Sequence, residues 1–343
     1  MSVVPIPPAK AVPAENGWLT PDHVPGRVSV VVPTHNRARL LGVALDSVEG
    51  QTLGEGEIVV VDDGSTDDTL AVLEARAAPP AGWTRVVVSQ ANAGVSAARN
   101  AGARRCTGEF IVFLDSDDIL HPPALELYRR TLRESGADYC YAPIEMTDGD
   151  GRPLPDGRAF FPDPASEGWE MRCFWLSNGG CYRRRILAAA GPWNEALTRQ
   201  EDMEFLWRIK SLGGKAVFLP VVQGQYRHYG AGHARLSFDR RTLELQGWLG
   251  ALDAFAAWAE STGRLDRARR LRIADFYRYT AVRLLIAGEG RASGRALDGM
   301  TRLCRGTGSP LGLVALALRV VKPGPVARLA QQAWGRARIR LGW

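Results

Sequence analysis

Phe110-Ile111-Val112-Phe113-Leu114 is an uninterrupted apolar run, and Asp115-Ser116-Asp117-Asp118 follows it directly. A run without polar alternation suits a strand buried on both faces, as in a parallel sheet with helices on each side. Burying three carboxylates at the end of such a strand is costly unless something cationic binds there. In an open α/β sheet, the carboxyl ends of the strands are also where ligands sit. An Asp-x-Asp pair offers hard oxygens to a divalent ion bridging a diphosphate and leaves positions open for phosphate. For an isolated Asp-x-Asp, a solvated acidic turn capping the next helix is the simpler account. The residues brought beside it must decide.

The pattern recurs upstream. Val28–Val32 is a strand stopped by Pro33-Thr34-His35-Asn36, and Leu40, Leu41, Ala44, Leu45 and Val48 then have helical spacing. Glu57–Val61 is a second buried strand ending in Asp62-Asp63-Gly64-Ser65, where Ser65 or Thr66 can cap a helix. Arg85–Val88 leads into Gln90–Gly94 and a helix of small residues through Arg105. Strand, loop and helix repeated in this way predict a doubly wound, mostly parallel α/β sheet. The polar segments Thr34–Asn36, Asp62–Ser65, Asn92 and Asp115–Asp118 would then share one sheet edge.

Beyond Pro122-Pro123 the sequence predicts an amphipathic helix and a strand at Tyr139–Tyr141. A turn-rich stretch at 148–164 and the tight segment Asn178-Gly179-Gly180 follow, then a short strand at Cys181–Arg183. A helix opens at Gln200-Glu201-Asp202, and Ala216–Leu219 and Gly224–Arg227 read as closing strands. From about Arg240 the pattern is helical, with breaks near 288–294 and 306–310. The expected organisation is an extended lead-in over 1–26 with six prolines, an α/β domain over 27–238 and a basic helical region over 239–343.

Five motifs stand in order. They are Pro33-Thr34-His35-Asn36, Val61–Asp67, Asn92-x-Gly94-x-x-x-Ala98-Arg99-Asn100-x-Gly102, Leu114–Asp118, and Glu201-Asp202 followed by Tyr226-Arg227-His228. Together they resemble the family 2 glycosyltransferases, inverting and non-processive, with a GT-A fold. The resemblance covers roughly residues 27–238. It implies metal-dependent transfer of one sugar from a nucleotide-diphosphate donor to a hydroxyl of a glycan or lipid-linked acceptor, in cell-surface polysaccharide or glycoconjugate biosynthesis.

The resemblance also implies roles for single residues. Asp117 is the principal ligand for Mn2+ or Mg2+, with Asp115 lying toward ribose and metal. His228 is a further candidate ligand, with His233 as competitor. Asp63 is placed against the nucleobase, where its carboxylate can accept a uracil ring N–H, and this favours a UDP-sugar. A tight turn at Asp63-Gly64 explains the same dipeptide, and Asp62 reads as structural. His35 could stack on a base where the family often has tyrosine. Pro33, Asn36 and Asn92 fall on the donor edge. Arg99 could reach base or phosphate, or lie on a solvated helix face. Asp202 is expected as the base that deprotonates the acceptor, with Glu201 orienting it; helix-dipole complementarity would explain the same acids. Asn178, Gly179 and Gly180 read as acceptor-proximal, since glycine lets substrate approach the backbone. Asp118 could simply cap the following helix.

Charge and cysteines bear on partners and compartment. The net charge of +6 is uneven, with 17 Arg or Lys against 4 Asp or Glu from Arg264 to Trp343. Arginines beside apolar residues at Arg264–Arg272 and Arg336–Trp343 suit an anionic membrane surface, or a helical bundle with solvated arginines. No nucleic-acid-binding module accompanies the charge, so nucleic acid is not an expected partner. Five cysteines without CxxC spacing point to reduced thiols. With no secretory signal or long apolar run visible, the expected location is cytoplasmic, at most peripheral on the inner face of the cell membrane. Two rival functions use a similar sheet, a sugar nucleotidyltransferase and a non-catalytic nucleotide-sugar or carbohydrate-binding protein. A GxGxxG dinucleotide fingerprint is missing after the first strand, and so is Gln-x-x-Arg-Trp of processive synthases.

Overall fold

The computed structural model describes residues 18–19, 22–154, 179–228 and 241–309. The chain divides into two compact units, Met1–His233 and Ala234–Trp343. Asn178, His233, Cys173 and Arg336–Trp343, all weighed in the sequence, lie outside the described residues.

The first unit is built on a seven-stranded sheet. In chain order its strands are β1 (Val24–Thr34), β2 (Gly56–Asp63), β3 (Trp83–Gln90), β4 (Gly108–Phe113), β6 (Tyr139–Tyr141), β8 (Gly180–Arg183) and β9 (Ala216–Phe218). Their spatial order is β3-β2-β1-β4-β8-β6-β9. The first four positions are parallel, with Val30 opposite both Ile58 and Val112. β8 runs antiparallel to β4 and β6, and β9 is parallel to β6. The expected parallel doubly wound arrangement is therefore present, with one reversed strand inserted.

Alternation along the strands builds two cores. Val28, Val30, Val32, Ile58, Val60, Phe110 and Val112 face one way. They pack against Leu41, Leu45 and Val48 of α1 (Leu41–Glu49) and Leu125, Tyr128 and Leu132 of α4 (Ala124–Ser135). The opposite face carries α3 (Val95–Arg105). There Gly102 sits so close to the sheet that a Cβ would lie 2.4 Å from Val31 Cγ1. Further along, Phe113 meets Trp193 and Phe205, the latter on α6 (Glu201–Ser211).

A smaller sheet was not legible in the sequence. β10 (Gly224–His228) lies between β5 (Ile119–Leu120), antiparallel, and β7 (Glu145–Asp148), parallel. β5 begins one residue after Asp118, so this sheet brings the chain around His228 back to the acidic loop.

The second unit contains α7 (Arg241–Ser261), α8 (Arg267–Ile286) and α9 (Gly290–Cys304); the break expected near 288–294 is confined to 287–289, and 290–294 are helical. Asp266 caps α8 by accepting from Arg269 N at 2.8 Å. Tyr277 is buried, its hydroxyl donates to Asp253, and a Cβ on Gly299 would clash with its ring. Arginines from the basic stretch are spent on carbonyls. Arg267 donates to Thr307 O, Arg269 to Arg264 O and Arg270 to Leu265 O. Arg291, Arg295, Asp298 and Arg302 of α9 are exposed at helical spacing. Among the described residues, no helix is long and apolar enough to cross a membrane. Cys106, Cys140, Cys181 and Cys304 are free and buried.

Candidate active site

The carboxyl ends of β1, β2, β3 and β4 gather the polar segments at one edge, and hydrogen bonds between loops fix them there. Asn36 takes a left-handed backbone, φ 52°. Its Oδ1 accepts from Thr66 N at 2.7 Å and from Asp67 N at 3.3 Å, and its own N–H donates to Ser65 Oγ at 3.0 Å. Asn36 therefore latches the loop after β1 to the loop after β2. The cap expected from Ser65 or Thr66 is not formed; α2 (Thr69–Glu74) begins later, with Asp67 accepting from Thr69 N.

Asp63 is buried and has three donors. Gln90 Nε2 and Ala93 N reach its Oδ1 at 2.8 and 2.9 Å, and Gly94 N reaches Oδ2 at 2.8 Å. The turn weighed at Asp63 is made instead by Asp62, whose carboxylate accepts from Ser65 N. His35 Nδ1 lies 2.8 Å from Asp63 O, an acceptor, so Nδ1 carries the proton and Nε2 accepts. Asn92 Nδ2 at 3.1 Å fits that acceptor. His35, Asp63 and Asn92 thus form one partly exposed group beside Pro33.

Asp115, Asp117 and Asp118 diverge. Asp115 pairs with Arg99 at 2.8 Å, and the Asp117 carboxylate is 4.0 Å from Arg37 Nε. Asp118 is not a helix cap. Its Oδ1 accepts from Arg227 N at 3.1 Å, while α4 starts at Ala124 behind Pro123. Arg227 Nε also donates to Asp117 O at 2.9 Å, which places the β10 residue His228 beside this loop.

The distant acid pair opens α6. Gln200 is left-handed, φ 58°, and Glu201, Asp202 and Glu204 fill the first turn. There the unpaired N–H groups of the helix end favour negative charge. Burial, and then the Glu201 carboxylate, push Asp202 up to about 7, against the pull of Arg99. Asp202 is half-buried, so it stays reachable from solvent. Glu204 is fully interior and paired with Arg208 at 2.8 Å.

Arg99, expected at base or phosphate, lies between two carboxylates. Its side chain is buried, with Nη2 on Asp115 at 2.8 Å and Nη1 on Glu201 at 2.9 Å. Its guanidinium lies 4.5 Å from the Trp193 ring centroid. Burial opposes its charge, but the Asp115 and Glu201 carboxylates outweigh that and hold it above the ordinary arginine range. Trp193 stacks on Phe205 at 4.1 Å, and Asn100 grips its backbone through Trp193 N and Trp193 O. Sequence reasoning assigned Trp193 and Asn100 no role; the signal was Asn100 standing next to Arg99 in the helical motif.

Gly179 and Gly180 are small for an internal reason. A Cβ on Gly179 would lie 3.1 Å from Ala142 O, and one on Gly180 2.8 Å from Tyr182 Oη. The protein's own backbone and a tyrosine thus stand where those Cβ atoms would lie.

Among the described residues, no three His, Cys, Asp or Glu side chains form a preformed cation cage. The donor set still suits a hard divalent ion. Asp115 and Asp117 place carboxylate oxygens on one loop, the ligand type taken by an ion shared with phosphate oxygens.

The profile of the family described as Glycosyl transferase family 2 matches residues 29–187. A PGL/p-HBAD biosynthesis glycosyltransferase of Mycobacterium tuberculosis is 40% identical over 227 residues, 63% of this chain and 82% of that protein. An uncharacterized glycosyltransferase of Nostoc sp. is 32% identical over 173 residues, 48% of this chain, and the match spans about half (53%) of that relative's length. Residues 1–349 of Staphylococcus aureus TarS, in complex with UDP, share the fold with a TM-score of 0.64 at 19% identity, covering 90% of this chain and 92% of that one.

Proposed function

We propose, for a chain that belongs to glycosyl transferase family 2, that it moves one sugar from a nucleotide-diphosphate donor, favouring uridine, to a hydroxyl of a glycan or lipid-linked acceptor with inversion. The observation that carries this reading is the position of Asp202. It is a half-buried carboxyl held near neutrality, and a single arginine links its helix to the Asp115 end of the donor edge. A base serves best when its pKa lies near the working pH.

In the proposed reaction, Asp202 takes the acceptor hydroxyl proton, with Glu201 orienting the pair. The acceptor oxygen bonds to the anomeric carbon on the face opposite the diphosphate, and the sugar–phosphate bond breaks. The nucleoside diphosphate leaves with that electron pair. A divalent cation, Mn2+ or Mg2+, held by Asp117 and Asp115 with His228 beside them, would neutralise charge on the departing diphosphate. The group of His35, Asp63 and Asn92 receives the base: the Asp63 carboxylate keeps acceptor capacity on Oδ2, and the His35 ring offers a stacking face. Arg37 adds positive charge near Asp117.

We place the reaction in glycoconjugate biosynthesis on the cytoplasmic side of a membrane. The exposed arginines of α9 supply contact with anionic lipid. Incubating the full chain with UDP-, dTDP- and GDP-sugars, with and without Mn2+, tests the reading. Release of a nucleoside diphosphate supports it; release of pyrophosphate from a sugar phosphate and nucleoside triphosphate marks a nucleotidyltransferase. Metal-independent binding without turnover marks a non-catalytic protein.

A further inference from the structure

We propose that Arg99 is a positioning residue that ties the donor-side Asp115 to the acceptor-side Glu201–Asp202, so that the strand end receiving the donor also holds the base helix. The inference rests on Asp202 being the base.

The geometry is that of a bridge. The two Nη groups reach carboxylates on different elements, Asp115 beyond β4 at 2.8 Å and Glu201 on α6 at 2.9 Å. Only a planar fork makes both contacts at once; a lysine ammonium is a single point on a flexible stem. The side chain is 4% exposed, so these bonds act where water screens them little.

The support beneath the fork comes from the same helix. Asn100, the next residue, accepts from Trp193 N at 2.8 Å and donates to Trp193 O at 2.9 Å. The ring it holds lies under the Arg99 guanidinium and against Phe205 of α6. α3 thus fixes the N-terminal half of α6 twice, through charge at Glu201 and through an aromatic stack at Phe205. Glu201 on its own helix, Asp115 beyond β4 and Arg99 from α3 each act on the charge of Asp202. Arg99 is the positive one among them.

The test uses the full chain and needs no substrate for its main readout. Urea unfolding is measured from pH 5 to 9 for the wild type and Arg99→Met, each with and without Asp202→Asn. The stability gained from Asp202→Asn should grow with pH and level off at about 7 when Arg99 is present. With Arg99→Met it should keep growing for about one further pH unit or more. Levelling off at the same pH in both backgrounds overturns the proposal. A purely structural role would lower stability without moving that pH.

Turnover gives the second readout, as nucleoside diphosphate released from UDP-, dTDP- and GDP-sugars with Mn2+. Arg99→Met should lose about 10²-fold in kcat while donor KM stays within about threefold. Arg99→Lys should restore the levelling pH but only part of kcat. A loss carried wholly by donor KM overturns the proposal. Arg99→Gln carries the same comparison should Arg99→Met fail to fold. Full turnover by Asp202→Asn removes the reading of Asp202 as base, a failure separate from the levelling-off result.

Discussion

The carboxylate of Asp63 accepts hydrogen bonds from the backbone N–H groups of Ala93 and Gly94, so the end of β2 shapes the loop that follows β3. Charge-assisted bonds of this kind are worth more than neutral ones. Asp63→Ala should lower unfolding free energy by about 2–4 kcal/mol and weaken binding of UDP together with it. Urea unfolding and calorimetry on the same preparation check both. Lost affinity with unchanged stability would assign Asp63 to the base alone.

Activity and stability should run in opposite directions with pH. Asp202 binds its proton more tightly folded, at about 7, than in an unfolded chain at 3.8. The folded state therefore holds a proton that the unfolded state has lost between those values. Its contribution to stability is complete below the lower value and is lost as pH rises through the upper one. As a base it must be ionised, so kcat/KM should rise with pH and level off above about 7. Asp202→Asn should lower kcat by about 10²–10⁴-fold and raise stability at pH 8 by on the order of 2–4 kcal/mol.

The Glu204–Arg208 pair should be costly to break from either side. Both side chains are interior, and Arg208 also donates to Ala190 O and Gly191 O. Glu204→Gln or Arg208→Met should cost about 3–5 kcal/mol, since each strands a buried partner. A double-mutant cycle should recover part of the loss, which thermal melts of the three variants would register.

Asp117→Asn should abolish Mn2+-dependent turnover and leave the melting temperature within about 2 °C of the parent. Its carboxylate lies 4.0 Å from Arg37 Nε, too long for a hydrogen bond, and the amide keeps the same shape. Chelation of wild type should reproduce the loss, and added Mn2+ should reverse it only in wild type. A variant that turns over donor normally would remove Asp117 from the metal site.

The parallel strands were legible because burial on both faces leaves a plain signal: β1, β2 and β4 carry apolar runs that no other element type explains at that length. The edge residues followed from where those runs stop. β7 was not legible. Glu145–Asp148 is a strand because β10 lies beside it, and long-range pairing leaves little trace in four residues. The antiparallel direction of β8 likewise depends on its partners. The partners of Arg99 were hidden for a similar reason: its two carboxylates stand 16 and 102 residues away, so its burial is a tertiary fact. Gly179 and Gly180 show that a missing side chain marks close approach without saying by what.

The contact of Gly102 with Val31 acts as an indexing pin. A helix advanced by one residue turns by about 100° and climbs about 1.5 Å. With Gly102 the one backbone position seated there without a Cβ, any slip of α3 puts a side chain into the sheet. Arg99 and Asn100 lie within a single turn of that pin. The span between the donor edge and the base helix is therefore gauged by how deeply a glycine lets α3 sink onto the sheet. A methyl group at Gly102 would alter that gauge without touching a single charged residue.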